Sequence, residues 1–125
     1  MWLFTTFGFF SIVEKAGDRP GATLTVRARA RGDLQVLKRE YLPQLGTLTM
    51  KRSADYRYRA TVKKAALAAA MRSIVTDINY ADFKDAVCDR QGPAREEVYL
   101  GIWEAARRIQ ERPRTRVDRR RAIAS

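Results

Sequence analysis

Residues Thr23 to Arg31 alternate strictly: Leu24, Val26, Ala28 and Ala30 fall on one side of an extended chain, and Thr25, Arg27, Arg29 and Arg31 on the other. A period of two excludes a helix here and requires a sheet with one apolar face. A second segment repeats the pattern, with Tyr56, Tyr58, Ala60 and Val62 opposed to Arg57, Arg59 and Thr61. If both strands share a sheet, the face opposite the core is a plate of guanidinium groups. Arginine grips planar oxyanions through two parallel N–H bonds, so such a plate suits phosphates.

The rest of the sequence supplies the partners of that sheet. Residues 2 to 15 read as a first strand, bent or bulged at Gly8, and 23 to 31 as a second. Asp33 caps a helix that runs to about Leu42 on a stripe of Leu34, Leu37 and Tyr41, and Pro43 and Gly46 end it. Residues 47 to 52 give a third strand with Leu48 and Met50 inward, and 56 to 62 a fourth. An alanine-rich helix from about Lys64 to Ile78 presents Leu67, Met71, Ile74 and Ile78. A short helix follows around Tyr80 to Asp89. Gly92-Pro93 then opens a last helix to about Arg112, with Val98, Ile102, Ala105 and Ile109 as its buried stripe. The expected fold is α+β: a four-stranded, mostly antiparallel sheet in ββαββα order, a weak repeat of one unit. Helices cover one face, and extra helices follow at the C-terminus. The 125 residues suit one domain, here residues 1–111, followed by a basic tail, 112–125.

Charge narrows the function classes. There are 25 Lys and Arg against 14 Asp and Glu, a net charge of +11. The tail holds six arginines, with Arg114, Arg116, Arg119, Arg120 and Arg121 beyond its first residue. It has no apolar periodicity and reads as a disordered arm. No acidic residue lies between Ala22 and Gly32, and between Tyr56 and Ala81 Asp77 is alone. The strand arginines therefore lack nearby carboxylates in sequence, and an anionic partner explains them better than water does. No histidine is present and Cys88 is the one cysteine, so an internal disulfide, a zinc site and Ser-His or Cys-His catalysis are all excluded. Asp77, Asp82, Asp85 and Asp89 could hold Mg²⁺, but they read more simply as the wet face of a short helix. No glycine-rich phosphate loop is present.

Phe7-Gly8-Phe9 would place two aromatic rings on one strand face, the arrangement RNA-recognition motifs use to stack bases. Thr5 and Thr6 depart from that motif, and the segment lies on the first strand, so the family is not assigned. The competing reading puts Phe7 and Phe9 in the core. The apolar run from Met1 to Val13 has no basic leading segment or cleavage site and is too short to span a bilayer, so it reads as a strand of a cytoplasmic protein without membrane contact.

The expected function is non-catalytic nucleic-acid binding, with no cofactor and no metal. Arg27, Arg29, Arg31, Arg57 and Arg59 hold phosphates, Phe7 and Phe9 stack bases, and the tail adds long-range attraction. The alternatives are a binder of a small anionic ligand such as a nucleotide, and a regulatory protein that docks on an acidic protein partner. The opening Met1-Trp2-Leu3-Phe4-Thr5-Thr6 with Gly8-Phe9-Phe10-Ser11, the segment Ala54-Asp55-Tyr56-Arg57-Tyr58-Arg59 and the run Ile78-Asn79-Tyr80-Ala81-Asp82-Phe83-Lys84 together resemble a widespread group of small bacterial proteins of unassigned function. The resemblance covers residues 1 to 107, implies a single bacterial cytoplasmic domain, and carries over no activity and no catalytic residue.

Overall fold

Five strands, not four, build the sheet, because the first expected strand is a hairpin. In the computed structural model, which describes residues 1–111, β1 (Trp2–Thr5) and β2 (Gly8–Val13) pair antiparallel around the turn Thr6-Phe7. The Thr5 hydroxyl closes that turn: it donates to the Gly8 carbonyl at 2.8 Å and accepts the N–H groups of Gly8 and Phe7. Such a turn gives none of the Asn-Gly punctuation by which hairpins are usually read. Gly8 is there for space, since a Cβ at that position would lie 2.8 Å from Asp33 Cβ on the neighbouring helix.

The remaining elements are β3 (Thr23–Ala28), α1 (Arg31–Glu40), β4 (Thr49–Met50), β5 (Tyr58–Lys63), α2 (Lys64–Thr76), α3 (Phe83–Gln91) and α4 (Pro93–Glu111). The sheet is antiparallel throughout, in the order β1-β2-β3-β5-β4. The proposed internal repeat does not survive, since three strands precede α1 and two precede α2. On one face Phe10, Ile12, Val26, Ala28, Ala60 and Val62 meet Leu34 and Leu37 of α1 and Leu67 and Ala70 of α2. This is the core that the alternation required, and removal of its apolar area from water holds the sheet and two helices together.

Several local expectations change. Arg31 opens α1 instead of ending β3, Ala30 is the N-cap, and Asp33 sits in the first turn. Met50 is exposed on the two-residue edge strand β4. α2 stops at Thr76, leaving Ile78 exposed. The largest change is α4. Val98, Ile102 and Ile109, expected to be buried, are 58%, 36% and 83% exposed, and Tyr99 is the buried residue of the helix.

α3 and α4 form a helical hairpin that turns at Gly92 (φ 93°) and docks on the turn end of β1–β2. Asp33 anchors it. One of its oxygens accepts the Phe9 N–H at 2.9 Å, and Arg95 donates to both oxygens, at 2.7 and 3.0 Å. The Gln91 amide donates to the Thr6 carbonyl, and Arg90 pairs with Glu40. No helix among the described residues is long and apolar enough to cross a membrane. Arg114, Arg116, Arg119, Arg120 and Arg121 lie outside the described residues.

Candidate anion-binding face

The sheet face turned away from α1 and α2 carries one row of side chains across all five strands. The Cα register pairs Trp2 with Ser11, Ser11 with Arg27, Arg27 with Arg59 and Arg59 with Thr49. Strands lie about 4.8 Å apart, so the row spans about 19 Å. Arg27 and Arg59 are directly opposite each other on β3 and β5. Like charges in that position repel, and among the described residues no carboxylate comes within salt-bridge distance of Arg27, Arg29, Arg31, Arg57 or Arg59. Arg27 donates to the Ser11 hydroxyl at 2.6 Å and Arg59 to the Tyr56 carbonyl at 3.0 Å. The Nε of each is buried without a partner. A guanidinium has five N–H donors, so both retain unused hydrogen-bonding capacity.

Tyr56 was expected on the core face and lies on the opposite one. It precedes β5, so the strand alternation does not fix it. Its ring folds back over the sheet, with the Arg27 guanidinium 4.7 Å and the Arg29 guanidinium 4.4 Å from its centroid. Arg29 lies beyond the end of β3 and also donates to the Asp55 carbonyl. Delocalised guanidinium planes stack on aromatic faces more readily than ammonium groups do, which favours arginine here. Arg57 is exposed beside this cluster. Arg31 is separated from it, because its guanidinium lies over Tyr58, which packs against the core.

Phe7 and Phe9 do not share a face, because the turn intervenes between them. Phe7 is 5% exposed, stacked on Tyr41 and tilted against Phe10, so it belongs to the core and has no surface for a base. Phe9 is half-buried on the arginine side. It stacks on Phe4 with centroids 4.3 Å apart, and Trp2 meets it edge-on at 5.8 Å. Trp2 is 65% exposed. Trp2 and Phe4 were not singled out as site residues from the sequence. Once the hairpin register is known, period two places both beside Phe9.

The two sides of the face differ in chemistry. On β1 and β2 it is aromatic. Toward β4 a groove of about 410 Å³ is lined by Lys15, Thr25, Thr47, Thr49, Arg59 and Thr61. Asp18 fixes the loop that brings Lys15 there. Its carboxylate accepts the Lys15 N–H and the Thr25 and Thr23 hydroxyls. The Lys15 N–H first, and then the two hydroxyls, hold its pKa below the ordinary aspartate value.

A separate apolar pocket of about 350 Å³ lies between Phe4, Phe83, Tyr99, Ile102 and Trp103. Its lysine, Lys84, stands 4.6 Å from the Trp103 ring centroid. None of the five strand and strand-flanking arginines lines it. Burial raises the Tyr99 pKa, and its hydroxyl is buried without a hydrogen-bond partner. Two of the four aspartates considered for magnesium serve local structure: Asp82 caps α3 by accepting the Asp85 N–H, and Asp77 accepts the Tyr41 hydroxyl at 2.8 Å. Among the described residues no group of three or more His, Cys, Asp or Glu is gathered to hold a metal ion. No family model, curated protein or solved structure matches the chain.

Proposed function

We propose that the open sheet face binds single-stranded nucleic acid. The observation that carries this reading is the Arg27–Arg59 pair. Two facing cations with unused donors lie in one row with Trp2, beside a threonine-lined basic groove on one side and stacked aromatics on the other. Phosphates fit the arginines and the hydroxyl groove, and unpaired bases fit Trp2 and Phe9. Arg29 and Arg57 extend the basic surface at the end of β3. A net charge of +11 adds attraction at a distance. The open form of the face favours a strand over a small enclosed anion.

The test is binding of fluorescently labelled oligonucleotides to the full chain across a salt series. Arg59→Ala should weaken binding and lower the log–log salt slope by about one. Trp2→Ala should cost about 1–3 kcal/mol of single-strand affinity while the fold is kept, as a stacking contact would. Affinity that rises with oligonucleotide length supports the reading. Equal binding of one mononucleotide and a long strand overturns it in favour of a small anionic ligand. Equally poor binding by the parent and Arg59→Ala at low salt overturns it altogether.

A further inference from the structure

We propose that α4 pairs antiparallel with α4 of a second copy of this chain. Val98, Ile102, Ala105 and Ile109 are spaced four, three and four residues apart, the spacing of a seam between two helices. All four are exposed, as is every residue from Gly101 to Glu111; Ile102 borders the apolar pocket with Phe4 and Phe83, and the stripe is otherwise uncovered by the described part of the chain. From Glu104 to Glu111 the helix is exposed throughout, a helical end this short is marginal in water without a partner, and a stripe this regular has no use facing solvent.

The sequence of the stripe fits a second copy running the opposite way. With the two-fold axis between Trp103 and Glu104, Val98 stands against Ile109 of the second copy and Ile102 against its Ala105. Each of the four layers then joins a first-type seam position to a second-type one, as antiparallel pairing requires, and the small Ala105 makes room for Ile102. Charge complements the same arrangement. Glu97 and Arg108 lie on one flank of the stripe, one residue before Val98 and one residue before Ile109. The antiparallel dyad brings Arg108 beside Glu97 of the second copy, twice over. A parallel pair would leave Glu97 of one copy eleven residues along the axis from Arg108 of the other, and would set the two helix dipoles side by side in the same sense. Ile109 is exposed enough that its replacement leaves the fold untouched, which makes the proposal open to a clean test.

The experiment is sedimentation of the full chain over a concentration series, with disulfide trapping in a Cys88→Ala background. The unmodified chain should show a concentration-dependent dimer, and Ile109→Asp should abolish it with the circular dichroism of the fold unchanged. Under mild oxidation, a mixture of Val98→Cys and Ile109→Cys chains should yield a cross-linked dimer, and Val98→Cys alone should not. A monomer at every concentration overturns the proposal and leaves the stripe to a different protein. Association that persists in Ile109→Asp, or self-linking of Val98→Cys alone, overturns it too.

Discussion

Leu67, Met71 and Ile74 of α2 lie at the same helical spacing as Val98, Ile102 and Ala105 of α4, yet the first set packs on the core and the second is exposed. Nothing in either stripe foretells the difference. α2 follows β5 without a break, and its start is tied down where Lys64 N–H donates to the Ala22 carbonyl, so the helix folds straight back across the sheet. α4 comes after a second helix, once α1 and α2 already cover the apolar face. The room left to it is the turn end of β1–β2, and there it is held by polar contacts at Asp33 and by Tyr99 against Phe4, not by its stripe. An apolar period shows that a helix has a side to bury. It does not show that the same chain supplies the cover.

The contrast predicts a graded series of stabilities. Leu67→Ala, at a position 4% exposed, should destabilise the whole domain by about 3 kcal/mol in urea unfolding. A loss below about 1 kcal/mol would mean that α2 is no better anchored than α4 and would break the comparison. Arg95→Ala should cost less, about 2 kcal/mol, because it leaves the buried Asp33 carboxylate with the Phe9 N–H but without its cation. Its effect should be local. Amide exchange should speed up in α3 and α4 while β2, β3 and β5 keep their protection, and uniform loss of protection would show that the hairpin and the sheet unfold as one unit. Ile109→Ala should change the stability of the dilute chain by less than about 0.5 kcal/mol, since no described residue packs on that side chain. A larger loss at low protein concentration would show that the end of α4 is covered within a single chain.

The arginine face shows a similar division. Arg27, Arg59 and Thr61 were placed opposite the core by alternation alone, and they are there, because a strand turns successive side chains to opposite faces whatever surrounds it. The same argument fails one residue beyond a strand end. It put Arg31 on the plate and Tyr56 in the core, whereas Arg31 begins a helix and Tyr56 lies under two guanidinium groups. It failed again at Phe7, because a threonine hydroxyl in place of a glycine-bearing turn hid the hairpin and shifted the facing of everything before it. Arg27 and Arg59 are also less free than their sequence setting suggested. Both are half-buried and engaged with Ser11 or the Tyr56 backbone, so their removal disturbs packing as well as charge.

The sequence by itself determined the antiparallel α+β character, the helices α1 and α2 over an apolar sheet face, and the arginines on the opposite side. Each of these follows from short-range periodicity, which backbone geometry enforces locally. Tertiary structure alone decided the strand count, the row that joins Trp2, Ser11, Arg27, Arg59 and Thr49, the sheet face on which Tyr56 lies, and the exposure of the α4 stripe. These depend on register, on how a loop folds back, and on which surface is already taken, and all three are settled by contacts between residues far apart in the chain.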